Sequence, residues 1–167
     1  MILWEQLGIN ELSILMMLIV VFTVFGLLSR RLPRYITLFS LLWGFASAMF
    51  FDFTIGGGLF DFYQVNDSPR YELFDLLYYI LFAPISYFFI YFYERLEINK
   101  KTFVWYIIGW STLGVGANWL YTQLEIIHFH SGYILPYSFV VFLIVQTITG
   151  LYYELIKSRM LTLVNER

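Results

Sequence analysis

Apolar residues run unbroken, rather than alternating with polar ones, over five stretches of the chain: Leu12–Leu28, Tyr35–Phe53, Tyr71–Tyr93, Phe103–Tyr121 and Tyr133–Tyr153. Each falls near the roughly 17–25 residues that a helix needs to cross about 30 Å of hydrocarbon. In lipid, backbone groups must be paired within their own segment, so unbroken runs predict helices. A closed strand barrel is excluded, because its strands would alternate. The pattern therefore predicts an all-α, polytopic transmembrane bundle of five spans, with residues 1–167 forming a single integral membrane domain.

The polar interruptions within the runs predict which faces meet protein. In the second run, Ser40, Gly44 and Ala48 recur every four residues with Ser47 beside them. Small residues at that spacing let helix backbones approach closely in a membrane. The whole stretch Tyr35–Ile55 is expected at the centre of the bundle. Asp52, near its far end, should face protein or protein-held water rather than lipid. The fourth run carries the clearest polar stripe: Ser111, Gly114, Asn118, Thr122 and Glu125 follow steps of three and four, and should face the bundle interior. In it, Ser111 and Gly114 are candidates for helix packing, as Ser40, Gly44 and Ala48 are in the second run. Gln146, Thr149 and Tyr153 share a face of the fifth run. The first run, uncharged from Leu12 to Leu28, reads as a lipid-facing scaffold. Phe60, Phe62 and Tyr63, between the second and third runs, are expected at the interface or as a cap on the bundle.

Composition strengthens this picture. The chain is 60% hydrophobic and 13% charged, with a mean hydropathy of +0.71. Soluble domains are roughly 45–50% apolar and about 25% charged, and one this small could not hide so much apolar surface. The first run lacks a basic leader and a small-residue cleavage site, so it is expected to remain as a span. Cysteine is absent, which removes disulfides and thiolate chemistry.

Charge supplies the orientation. Arg30, Arg31 and Arg34 follow the first run, Arg95, Lys100 and Lys101 the third, and Lys157, Arg159 and Arg167 the fifth. Arg70 alone lies on the other side. The positive-inside rule then puts the N-terminus outside and the C-terminus in the cytoplasm.

The predicted depths bring Asp52, Asp75, Asn118 and Glu125 towards one outer level. An acid at the centre of a membrane costs about 2.5–3.5 kcal/mol on insertion scales, so such groups are often kept for function. These four residues could line an outward-facing pocket for a cation, a proton or an amine-bearing ligand. The plainer alternative is hydrated acids at headgroup level, with Asp75 favoured at a helix N-terminus. His128 and His130 are candidate metal ligands. Glu125-x-x-His128 suits a helix and His128-x-His130 an extended segment, and both cannot hold at once. Asn66-Asp67-Ser68 formally matches a glycosylation acceptor, but Pro69 follows. No cofactor is expected.

Four patterns, the RRLPRY link, FFDF closing the second run, YELFDLLYY opening the third and the YERL exit, resemble an uncharacterised family of small polytopic membrane proteins of spore-forming bacteria. That resemblance implies a bacterial plasma membrane and carries no activity with it. Three functional readings follow. The leading one is a non-enzymatic structural or assembly component joined to itself or another membrane protein through the small-residue face of the second run. The alternative is a transporter or sensor using the outer pocket. The third is a membrane-embedded, lipid-modifying enzyme built on the histidines and Glu125. The expected partners are the bilayer and a membrane protein or second copy, not nucleic acid.

Overall fold

The computed structural model describes residues 8–28, 32–57, 59–66 and 71–165, with side chains described through Arg159. Arg30, Arg31, Asp67, Arg70 and Arg167, part of the charge and motif arguments, lie outside the described residues. Five helices form in chain order: α1 (Ile9–Leu27), α2 (Arg34–Ile55), α3 (Leu73–Arg95), α4 (Phe103–Gln123) and α5 (Leu135–Asn165). Each apolar run has become one helix, and boundaries shift by no more than three residues apart from the C-terminal end of α5. That helix continues through the tail to 31 residues, about 46 Å at 1.5 Å per residue, which outlasts the hydrocarbon of a bilayer.

Among the described residues, α1, α2, α3 and the stretch Leu135–Arg159 of α5 are long and apolar enough to cross a membrane. The expected five spans are thus four by this measure. At 21 residues α4 is just as long and carries no charge, but it is not among the helices apolar enough to cross by this measure. The outer surface is greasy. Ile19, Leu27 and Trp105 are 68%, 79% and 74% exposed, an arrangement that water would penalise and lipid would not.

The central helix is α3, not α2 as the run of small residues suggested. Half of the apolar window of α3 is buried, against 22% for α2. The cause is its aromatic load, which supplies contacts on every side: Phe74, Tyr78, Tyr79, Tyr87, Phe89, Tyr91 and Tyr93 are all buried. Both α1 and α2 pack on α3, while α4 and α5 pair with each other. Rings tie the two groups together, with Phe89 5.6 Å from Trp110 and Tyr78 5.8 Å from Tyr121. The Tyr106 hydroxyl also donates to the Phe89 carbonyl.

Two connections join in a feature the hydrophobic pattern did not predict. Strands β1 (Tyr63–Val65) and β2 (Ile127–Phe129) pair antiparallel, with Gln64 opposite His128. Asn66 and Glu125 flank the ribbon in left-handed conformations, φ 58° and 57°. For Asn this costs little, because its short polar side chain tolerates that region. The ribbon puts the α2–α3 and α4–α5 connections at one end of the bundle. Phe62 and Phe129 close over Tyr133, at 5.6 and 5.2 Å, so the loop aromatics do cap it.

Candidate functional site

The small residues of α2 are consumed inside the chain. Ser40 is fully buried and its hydroxyl donates to the Ile36 carbonyl. A Cβ at Gly44 would collide with the Phe82 carbonyl and lie 2.7 Å from Ser86 Cβ, so the backbones of α2 and α3 meet there. Ala48 packs half-buried beside them. On α4, Ser111 is fully buried, and a Cβ at Gly114 would come within 2.8 Å of the Phe142 ring on α5.

The four residues expected to share an outer pocket are distributed over three places. Asp52 and Asp75 stay together, between α2, α3 and the ribbon. Asp52 is buried and accepts a hydrogen bond from the Tyr79 hydroxyl. Its other side is closed by Gly56, where an added Cβ would lie 2.7 Å from Asp52 Oδ1 and 3.0 Å from the Tyr63 ring. Asp75 accepts the Glu72 backbone N–H at 2.8 Å, which starts α3, and the Asn66 side-chain N–H at 2.6 Å. That second bond pins the ribbon to α3. It also rules out the glycosylation reading, since the Asn66 amide is 2% exposed and already engaged. The surroundings register both acids. Burial pushes the Tyr63 and Tyr71 hydroxyls above their ordinary range; Asp52 adds to both, and Asp75 to Tyr71.

Glu125 joins neither acid. Helix α4 ends at Gln123, before the stripe reaches Glu125, because the chain must reverse to deliver β2 to β1. Glu125 is exposed in that reversal. His128 lies on the strand, exposed, with its Nε2 2.9 Å from the Glu125 carbonyl oxygen, so the extended geometry holds and the helical one does not. Among the described residues, no three His, Cys, Asp or Glu side chains gather to hold a metal.

Asn118 lies in the third place, a partly open cavity of about 370 Å³ lined mainly by α2, α3, α4 and α5, with Val21 of α1 at its edge. Its side-chain N–H donates to Ser138 Oγ at 2.7 Å, and the Tyr133 hydroxyl sits 3.1 Å from the same atom. Tyr63, Ile127 and Tyr133 reach the cavity from the ribbon end. Towards the opposite end, the Trp43 indole N–H donates to Thr149 Oγ1 at 2.8 Å, bridging α2 to α5. Gln146 and Thr149 both line the cavity, and Tyr153 is buried below them, as their shared face predicted. Asp52, Asp75 and Glu125 are not in its wall. Among the described residues lining it, none is Asp, Glu, Lys, Arg or His. The size falls at the low end of small-molecule sites, about 300–1,000 Å³.

Trp43 and Ser138 are polar cavity residues that pattern reading passed over. A helical tryptophan or a serine beside a loop carries no sign of a partner on another helix. Comparison of the chain with protein-family models, with curated proteins and with solved structures found no match.

Proposed function

We propose that the chain is a five-span protein of a bacterial plasma membrane, with its N-terminus outside and its C-terminus in the cytoplasm, that binds a small uncharged molecule inside its helical bundle. The observation that carries this reading is the cavity between the helices, with no Asp, Glu, Lys, Arg or His among its described lining residues. A charged ligand there would lose its hydration without a counter-charge to offset it. The cation reading is weakened accordingly, because Asp52 and Asp75 spend their hydrogen bonds on Tyr79, Asn66 and a helix N-terminus. The assembly reading loses its carrier, since Gly44 is packed against α3 of the same chain.

Support for five spans comes from the ribbon. It gathers the ends of α2 and α4 at one end of the bundle, so α4 runs between the same two ends as its neighbours. The basic residues Arg34, Arg95, Lys100, Lys101, Lys157 and Arg159 fall at the other end, as the positive-inside rule asks of a cytoplasmic face.

The test uses Trp43 and Trp110, which both line the cavity. With Trp4, Trp105 and Trp119 changed to Phe, their fluorescence in nanodiscs should be quenched saturably by terminally brominated dodecane. Filling the space with Ala117→Phe, or separately Ala48→Phe, should abolish the saturable part while circular dichroism and gel filtration stay unchanged. Quenching that rises linearly with probe, and equally in folded filled variants, would overturn the reading.

A further inference from the structure

Two serine hydroxyls on the cavity wall, together with that of Ser111 on α4 outside its lining, stand apart from the helix serines and threonines that have a partner. Ser40, Thr54, Thr112 and Thr149 each donate to the carbonyl four residues earlier, at bonds such as 2.9 Å for Thr112 to Ile108. That is the usual way a hydroxyl is satisfied in an apolar helix. Ser47 and Ser86 also sit within helices and line the cavity, yet their buried Oγ atoms have no hydrogen-bond partner. Leaving a buried hydroxyl unpaired is costly, and each such group in a native protein calls for an explanation.

Their levels can be read from the packing. Gly44 lies against Ser86, which puts Ser86 at its height, and Ser47 is about one turn nearer the ribbon. The Trp43–Thr149 bond fixes α5 against α2, so Gln146 falls level with Ser47. Ser47 of α2, Ser86 of α3 and Gln146 of α5 thus line the middle of a cavity whose remaining wall is mainly apolar, including Phe51, Phe82, Ile85 and Phe142. Tyr63, Ile127 and Tyr133 stand between this space and the ribbon end. The seam between α2 and α5 is bridged by side chains, Trp43 to Thr149 and Phe39 to Tyr152, whose rings are 5.2 Å apart.

We infer that the ligand is an uncharged lipid-like molecule, apolar along most of its length, that presents a hydroxyl or carbonyl oxygen to Ser47 and Ser86 at the middle of the bundle. This rests on the cavity being a binding site. It adds the chemical class of the occupant and the groups that recognise it. Such a molecule dissolves in the membrane and would reach the cavity sideways, through the α2–α5 seam, rather than past the ribbon.

The experiment compares three probes on the two-tryptophan protein in nanodiscs: terminally brominated dodecane, dodecanol and dodecanoate. Each affinity is taken per mole fraction of probe in the lipid. Dodecanol should bind about tenfold more tightly than dodecane, the worth of one or two good hydrogen bonds, and dodecanoate should bind no better than dodecane. Ser47→Ala/Ser86→Ala, a change that adds no bulk, should erase the advantage of the alcohol and leave dodecane binding unchanged. Saturable dodecane binding without any preference for the alcohol would overturn this inference and leave the cavity reading standing. So would a preference that survives in the double variant, or a preference for the carboxylate. Absence of saturable binding by all three would remove both.

Discussion

Gly44 shows how much one missing methyl group contributes to this protein. The backbone of α3 passes so close that a side chain of any size meets the Phe82 carbonyl, which is backbone and has nowhere to move. Gly116, on α4, has nothing within 4 Å of the same added atom. Gly44→Leu should therefore destabilise the bundle by about 3 kcal/mol or more, as overpacking against fixed backbone does, whereas Gly116→Leu should be close to neutral. Thermal unfolding in detergent, followed by circular dichroism, measures both, and equal losses would contradict the assigned packing. Asn66 makes the same point with a polar group. Its side chain links a loop to Asp75 at the start of α3, a hydrogen bond to an acid of the kind worth about 1.5–3 kcal/mol.

The ribbon is the least expected element and the one that organises the end of the bundle it covers. Its strands are three residues each and 61 residues apart, counting from Val65 at the end of β1 to Ile126 just before β2 (126 − 65). Nothing so short leaves a readable alternation, and closing a loop that long is worthwhile only because Val65, Ile126 and Ile127 are buried against α3 and α4. The bonds from Asn66 N to Ile126 O and from His130 N to Phe62 O mark the hydrogen-bonded pairs, so Val65 and Ile127 form a non-hydrogen-bonded pair with closely spaced side chains. Val65→Cys/Ile127→Cys should close a disulfide under mild oxidation in a chain that has no other cysteine. A mobility shift on non-reducing gels would reveal it, and a pair offset by one residue, Val65→Cys/His128→Cys, should form it far less readily. At the opposite end the helices are held differently, by the Lys157–Glu94 ion pair at 2.6 Å and by buried Tyr93 and Tyr153. With 42% and 32% of those charged side chains exposed, the ion pair adds little beside the rings.

For the molecule as a whole, the open question is which ends of the helices share a side of the membrane. The five-span reading puts the ribbon outside and the turn between α3 and α4 in the cytoplasm. Single cysteines at His128 and Lys100, both exposed, should report opposite sides. A membrane-impermeant maleimide added to intact cells should label His128→Cys at once and Lys100→Cys only after permeabilisation. Labelling of both positions from the same side would mean that α4 does not cross, and would remove the five-span topology.

The helices and their fitness to cross a membrane are legible in the chain itself, because a run of about 20 apolar residues pairs its own backbone only as a helix, and run length is a local property. Local spacing likewise reveals that the Ser40, Gly44 and Ala48 face of α2 packs closely, with Gly44 against a backbone, and that Gln146, Thr149 and Tyr153 share a face. Which backbone, and which cavity, depend on residues far apart in sequence. Pairing of β1 with β2 ended α4 two residues before Glu125 and turned that acid away from Asp52 and Asp75. Rings from α3 and α4 set the spacing of the two helix groups, and with it the void that Asn118 lines. Depth in the membrane can be read along one helix at a time. Whether two groups at the same depth actually meet is settled by how the helices are turned towards one another, and that is a matter of packing.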